Sequence, residues 1–185
     1  MMQGHTLYIL LSNTGSFASK CIGLYTRRPY SHVSIALDVN LEEIYSFARL
    51  KPSNPLIGGF VREDIDNGTF SLFPDTTCEL YSITISNKQY DQFIHEINRF
   101  IDSEHKYGYN FLGVMGLVLN SPINRKYNYF CSQFVAEVLH NSDIRIIDKD
   151  AGLTTPNDFR NNENLHLIYE GSLKQYERHI PAFSY

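Results

Sequence analysis

The hydrophobic and polar positions in the first half of the chain follow the pattern of β-strands. Residues 32–37 alternate with a period of two, which is typical of a strand whose two faces lie in different surroundings. Extended patterns predict further strands over residues 6–11, 41–48, 69–73 and 78–85. Residues 16–26 are expected to form a short helix, and the prolines and glycines of 52–68 predict a loop with a short strand near Phe60.

A tight hairpin is expected after residues 32–37, because the sequence changes there to turn-forming residues. If Leu37 pairs with Leu41 across a three-residue loop, Asn40 can adopt the left-handed conformation that such loops require. In this register His32 lies directly opposite Ser46 on the same face of the sheet.

The second half changes to the period of helices. Ser86 is a plausible N-cap for a helix that runs to about Glu104, with apolar residues at i, i+3, i+4 and i+7 spacing. Residues 130–140 predict a second helix, and the apolar stretch 110–119 predicts a buried one. A helix start at 155–158 and a late strand at 165–169 complete the pattern.

These elements predict one α+β domain over residues 1–185, with an antiparallel sheet packed against a few helices. The chain has 185 residues, of which 43% are hydrophobic and 14% aromatic, enough for a proper core. It carries 16 Lys and Arg residues against 20 Asp and Glu residues. A mildly acidic chain lacks the basic surface that phosphate binding needs, so we expect no nucleic-acid partner.

The three cysteines, Cys21, Cys78 and Cys131, show neither the pairing of a disulfide framework nor the spacing of a zinc site. No cofactor or metal is expected. No segment approaches the roughly 18 to 20 apolar residues that a membrane span needs. The amino terminus also lacks the pattern of a signal peptide, so the sequence predicts a cytoplasmic protein without a membrane span.

The segment Tyr129-Phe130-Cys131-Ser132 places a cysteine in the first turn of an amphipathic helix. Free N–H groups and the helix dipole stabilise a thiolate there and can also bind an oxyanion. The alternative is a small buried hydrophobic side chain. His32, at the head of a strand, would lie at the rim of the sheet, and imidazole is the base whose pKa suits such a thiol near pH 7.

This pattern resembles the permuted NlpC/P60 group of papain-like cysteine hydrolases, which includes YiiX/YaeF-type bacterial amidases. Lecithin:retinol acyltransferase is a more distant relative of that group. The resemblance lies in the segment Ser31-His32-Val33-Ser34-Ile35, a hairpin after it, and the later aromatic-Cys-Ser-x-Phe-Val helix. Segments 106–110 and 155–159 are similar to two further elements of the group.

The resemblance implies a papain-like fold with Cys131 as nucleophile, His32 as general base and a third polar residue that orients the imidazole. Family members often carry Glu in the stretch that here reads Ile44-Tyr45-Ser46-Phe47-Ala48. The predicted register selects the same residue, so Ser46 is the first candidate for this role. The alternatives are the carboxylates of Glu43, Glu63 and Asp64, or an enzyme of low activity.

The oxyanion is expected to lie near the first turn of the helix at Cys131 and Ser132. Tyr109, and with less support Tyr107, would donate a phenolic hydrogen bond there, and core packing is the alternative for both tyrosines. The expected function is hydrolysis of an amide or ester in a peptide, a peptidoglycan fragment or a lipid amide. The alternatives are acyl transfer by the same pair, and a catalytically weak or inactive fold that serves as a binding or interaction module.

Overall fold

A six-stranded antiparallel sheet with the strand order β4-β3-β2-β1-β5-β8 forms the centre of the structure. The structure is a computed structural model that describes residues 4–15, 29–51, 54–160 and 162–176. The strands of this sheet are β1 (His5–Asn13), β2 (His32–Ala36), β3 (Ile44–Lys51), β4 (Asn54–Glu63), β5 (Thr77–Ile85) and β8 (His166–Ser172). Two short strands, β6 (Gly108–Tyr109) and β7 (Asn128–Tyr129), form a separate parallel pair.

Two longer helices cover one face of the sheet. The helices are α1 (Gly68–Ser71), α2 (Asn87–Ile101), α3 (Phe111–Val118), α4 (Cys131–Asn141) and α5 (Leu173–Tyr176), with 3₁₀ turns at Ala151–Leu153 and Pro156–Asp158. A capping box between Ser86 and Gln89 starts α2. The buried side chains of α2 and α4 pack against β1, β2 and β3 in the main core. The α+β class is therefore confirmed.

The opposite face carries a smaller core that includes Phe70 of α1 and Leu173 and Tyr176 of α5. Residues 69–73 were predicted as a strand, and this prediction is wrong because Gly68–Ser71 form a helical turn. The apolar run there is too short for its period to separate helix from strand. The predicted helix over 16–26 lies outside the described residues.

The predicted strand near Phe60 is present, but it is longer than expected, because residues 54–63 form the ten-residue strand β4 where most of 52–68 was predicted as a loop. Gly58 and Gly59 lie inside this strand, where another part of the backbone approaches closely. A Cβ atom on Gly58 would lie 2.9 Å from the Cβ of Tyr109, and one on Gly59 would lie 2.5 Å from the carbonyl oxygen of Tyr107. These glycines make room for β6 instead of marking a turn.

The predicted register of the β2–β3 hairpin is displaced by two residues. The observed pairs are Ile35–Tyr45 and Ala36–Ile44, and the N–H of Leu37 donates to the carbonyl of Glu43, so the loop has five residues instead of three. The Asp38 carboxylate stabilises this wider loop by accepting the backbone N–H groups of Glu42 and Glu43.

Predicted and observed elements agree over the strands near 6–11, 32–37, 41–48, 78–85 and 165–169 and over the helices that start after Ser86 and Phe130. The stretch 110–119 does form a helix, but the expectation that it is buried is wrong, since several of its side chains are exposed. Within the described ranges, every helix lacks the length and hydrophobicity to span a bilayer.

Candidate active site

Cys131 is the first residue of α4 and lies against the start of β2. The helix begins here because Phe130 is still extended, at φ −104° and ψ 166°, and acts as its N-cap. Only 5% of Cys131 is exposed. The backbone N–H groups of Val33 and Ser132 donate toward its sulfur, so the thiolate form has two fixed donors besides any side chain.

The imidazole of His32 lies between a thiol and a carboxylate. Its Nε2 is 2.8 Å from Oε1 of Glu63, the last residue of β4. His32 also forms a hydrogen bond with Cys131. Because Glu63 holds Nε2, Nδ1 is the ring nitrogen available to the thiol. The three side chains therefore form the linear order that nucleophile, base and orienting acid require.

Ser34 contacts both Glu63 and His32. Its Oγ donates to Oε2 of Glu63 and lies 3.2 Å from Nε2 of His32. Ser34 is fully buried, and the side chain of Glu63 is only 8% exposed. A buried carboxylate that accepts two hydrogen bonds has little rotational freedom, so it fixes the ring orientation of His32.

The charges of the site stabilise a thiolate–imidazolium pair. Burial lowers the pKa of His32, but the negative charge of Glu63 and the hydrogen bonds to Cys131 and Glu63 outweigh it, and the pKa is raised well above its ordinary value of 6.5. Burial raises the pKa of the Cys131 thiol, yet the hydrogen bond and charge of His32 with the two N–H groups hold it below its ordinary value.

Tyr109 completes the surroundings of the sulfur. Burial and the negative charge of Cys131 raise the pKa of its phenol well above 10, and its hydroxyl forms a hydrogen bond with Cys131. The phenol is therefore a neutral donor over the whole physiological range. The close approach of Gly58 and the parallel pairing of Tyr109 with Tyr129 fix its position beside the helix start.

Tyr107 and Ser132 have other surroundings. The ring of Tyr107 packs in the aromatic cluster with Phe47 and Phe100 at centroid distances of 6.1 and 4.8 Å. The hydroxyl of Ser132 donates to the carbonyl of Thr154 over 2.6 Å, so its side chain attaches α4 to the neighbouring turn. Only the backbone N–H of Ser132 points at the sulfur.

Ser46 does not orient His32, and this expectation is corrected. Its hydroxyl donates to the carbonyl of Val33 over 2.8 Å. The displaced hairpin register explains the difference, since continuing the observed pairs places Ser46 beside Ser34 and not beside His32. Ser46 instead occupies the place where β2 and β3 separate, and it satisfies a backbone carbonyl there.

Of the three alternative carboxylates, the structure brings Glu63 to the imidazole. Glu43 is half exposed and lies 3.8 Å from the guanidinium of Arg62. The Asp64 carboxylate accepts the side-chain and backbone N–H groups of Asn67 and the backbone N–H of Asp66, and these hydrogen bonds lower its pKa. The Glu43 carboxylate therefore pairs with Arg62, and the Asp64 carboxylate stabilises the turn that follows it.

The sequence reasoning missed Ser34. The signal was present, because residues two apart on a strand point to the same face, which places Ser34 beside the side chain of His32. It also missed the role of the Val33 backbone, for which side-chain patterns carry no signal.

No group of three or more His, Cys, Asp or Glu side chains in the described part of the chain could hold a metal ion. A cavity of about 630 Å³ borders Glu63 and is lined by the β2–β3 loop and the end of β4, and Cys131 is not among its lining residues. The His32 side chain is 19% exposed and Cys131 is 5% exposed, so the imidazole is the more exposed member of the pair.

Comparisons with protein-family models, with curated proteins and with solved structures find no match to this chain.

Proposed function

We propose that this protein is a cysteine-dependent hydrolase of amides or esters that works through an acyl-enzyme at Cys131. The single observation that carries the proposal is the position of His32, hydrogen-bonded to the Cys131 thiol on one side and to the buried Glu63 carboxylate on the other. Core packing alone gives no reason to bury three ionisable groups in contact.

The thiolate of Cys131 attacks the substrate carbonyl carbon, and the carbonyl oxygen becomes an oxyanion. Tyr109 and the first-turn N–H groups of α4 are the donors that stabilise it. Protonated His32 then gives its proton to the leaving amine or alcohol as the carbon–heteroatom bond breaks. Neutral His32 next takes a proton from water, whose oxygen attacks the thioester and releases the acid and the thiolate.

The proposed substrates are a peptide, a peptidoglycan fragment or a lipid amide, and the proposed fold family is the permuted NlpC/P60 group. An acceptor other than water in the second step makes the same pair an acyltransferase. The geometry of the thiol, base and acid is common to both outcomes.

The test measures the rate of Cys131 alkylation by iodoacetamide against pH. Cys78 does not compete, because it is 1% exposed and burial raises its pKa to about 12. A Cys21→Ser background removes the third cysteine. We expect an apparent thiol pKa well below the free value of about 8.5, and a rise toward that value in His32→Ala.

Cys131→Ser in the same background is the control that assigns the label to one sulfur. The catalytic proposal is overturned if Cys131 alkylates at the rate of a free cysteine, or does not alkylate at all, and if His32→Ala does not change this result. That result would favour the binding-module alternative, because the fold would then hold Cys131 as a buried core residue.

A further inference from the structure

The helix α3 has a composition that does not match its exposure. Its eight residues, Phe111–Val118, include no charged or polar side chain. A helix that is apolar on all sides normally lies inside the protein. Yet Phe111, Leu112 and Met115, with the C-cap residue Leu119, are 47, 53, 56 and 70% exposed. We call these four residues the α3 face.

Two glycines fix which side of α3 points outward. A Cβ atom on Gly113 would clash with the side-chain nitrogen of Asn110, and one on Gly116 would lie 2.5 Å from the carbonyl oxygen of Ser121. The helix therefore packs its glycine side tightly against its own N-cap and the following loop. The large side chains of the α3 face remain on the other side.

The α3 face is a cluster. Ten large hydrophobic side chains are exposed in the described part of the chain, and four of them lie within residues 111–119. Scattered exposed apolar residues need no explanation, but a contiguous group of this kind marks a contact surface.

The part of the chain that carries α3 contains only positive charges, although the whole chain has a net charge of −4. Residues 105–136 contain no Asp or Glu, and they contain Lys106, Arg125 and Lys126, which we call the basic rim. All three are exposed, and no ion pair joins them to another described residue. Lys106 and Lys126 each lie two positions before the paired residues Gly108 and Asn128.

The α3 face is continuous with the candidate active site. The ring of Phe111 lies 4.8 Å from the ring of Tyr109, centroid to centroid, and Tyr109 contacts the sulfur of Cys131. A surface that covers the α3 face therefore comes within two side chains of the thiol.

We propose that the α3 face and the basic rim dock on the surface of an anionic lipid bilayer. Apolar side chains enter the boundary between headgroups and acyl chains, and the lysines and arginine contact anionic headgroups. At eight residues the helix lies in this boundary and does not cross the bilayer. A second copy of the chain is a poorer occupant, because a symmetric contact would bring two basic rims together.

The test is co-sedimentation of the full chain with vesicles of phosphatidylcholine, alone or mixed equally with phosphatidylglycerol. We expect binding to the mixed vesicles, weak binding to phosphatidylcholine, and a decrease as salt rises. Met115→Glu should weaken binding by about ten-fold or more, since it removes apolar contact and adds a repelled charge. Each change of Lys106, Arg125 or Lys126 to Gln should weaken it roughly five-fold.

Matched controls lie outside the proposed surface. Leu72 is 55% exposed, close to the value for Met115, and Lys88 is an exposed lysine on α2. Leu72→Glu and Lys88→Gln should leave vesicle binding unchanged. Because the chain contains no Trp, Met115→Trp adds a single reporter whose emission should shift to the blue on mixed vesicles, and Leu72→Trp should not shift.

Binding does not depend on a reactive thiol, so the test is independent of the proposed catalysis. A wild-type chain that does not sediment with mixed vesicles overturns the proposal, as does binding that Met115→Glu leaves unchanged. A dimer in size-exclusion chromatography that Met115→Glu dissociates, without vesicle binding, would assign the face to a second copy. A large loss of melting temperature in Met115→Glu would show that the chain itself covers the face.

Discussion

The carboxylate of Glu63 and the imidazole of His32 are joined over 2.8 Å although the two residues are 31 positions apart. Glu63 ends β4, His32 begins β2, and β3 runs between these strands in the sheet. The contact lies where β2 and β3 separate. The carboxylate of Glu63 on β4 can therefore reach past β3 to the imidazole of His32 on β2. A charged partner at this position makes His32 a stronger base than the hydroxyl of Ser46 could.

Replacing Glu63 with Gln should weaken the thiolate at Cys131. Without the negative charge, the pKa of His32 falls, the imidazolium is lost, and the pKa of Cys131 rises. If the pKa of Cys131 rises to about one unit above the working pH, the thiolate fraction falls about ten-fold. Iodoacetamide labelling at pH 7 measures this fall. Glu43→Gln, which changes a carboxylate away from the ring, should keep the wild-type rate. Equal rates in both variants would show that Glu63 has no effect on the thiol.

Ser34 and Ser46 form a matched pair of buried hydroxyls with different roles. Ser34→Ala removes a hydrogen bond to the Glu63 carboxylate and should raise the apparent pKa of Cys131, because the carboxylate is no longer fixed against His32. Ser46→Ala leaves the carbonyl of Val33 unpaired and should lower the free energy of unfolding by about 1 kcal/mol. Alkylation against pH together with urea unfolding separates the two effects.

The assignment would be reversed if Ser46→Ala shifted the thiol pKa while Ser34→Ala did not. Both substitutions remove one oxygen atom from a fully buried position, so each controls for the cavity left by the other.

The contribution of His32 to stability should depend on pH in one direction. Its folded pKa is raised above 6.5, so the imidazolium stabilises the folded state fully below that value and progressively less as pH rises through the folded pKa. The difference in free energy of unfolding between wild type and His32→Gln should therefore decrease as pH is raised from near neutral. Urea unfolding at several pH values measures it, with His166→Gln as the exposed reference. A difference that grows with pH would contradict the assigned charge state.

Tyr109→Phe separates the effect of the hydroxyl on the oxyanion from its effect on the thiol. Phenylalanine keeps the ring that packs on Phe111 and removes only the hydroxyl. Loss of one oxyanion donor costs roughly 10²-fold or more in turnover, whereas alkylation, which forms no oxyanion, should fall much less. The comparison needs a substrate found by screening amides and esters. Equal losses in turnover and in alkylation would show that the hydroxyl acts only by stabilising the thiolate.

An ion pair between a buried carboxylate and a partly exposed arginine, away from the site, provides a test of the fold. Glu79 is 2% exposed. Its carboxylate accepts a hydrogen bond from Nε of Arg160 at 2.9 Å and another from the hydroxyl of Tyr81 at 2.7 Å. Arg160→Met leaves this carboxylate buried without its cation and should cost about 3 kcal/mol or more of unfolding free energy. Adding Glu79→Gln should recover part of the loss, because the buried charge is then removed. No recovery would mean that Arg160 acts through packing, including its contact with the ring of Tyr30.

The strands and the two long helices could be predicted because their periods are long enough to be unambiguous. The positions of Cys131 at a helix start and His32 at a strand start followed from the same patterns. The partner of His32 could not be predicted, because it depends on the hairpin register. One side chain, that of Asp38, sets that register by accepting two backbone N–H groups and widening the loop.

The glycines of β4 show a second limit of prediction from the sequence. Gly58 and Gly59 have the composition of a turn, and only the tertiary approach of Tyr107 and Tyr109 explains them as strand residues. A contact between segments about fifty positions apart leaves no periodic signal in the sequence. The same applies to α3, where an apolar stretch predicts burial and the exposed side is set by what the glycines pack against.

The distance along the chain between the members of the site has a consequence for synthesis and folding. His32, Glu63 and Cys131 come from two strands and a later helix, and Glu63 ends β4, the strand at the edge of the sheet. A ribosome-bound or unfolded chain therefore carries an ordinary thiol. Detachment of β4 alone would remove the Glu63 carboxylate from His32 and weaken the thiolate while the rest of the sheet stays paired. Thiol reactivity thus reports whether β4 is paired with the rest of the sheet.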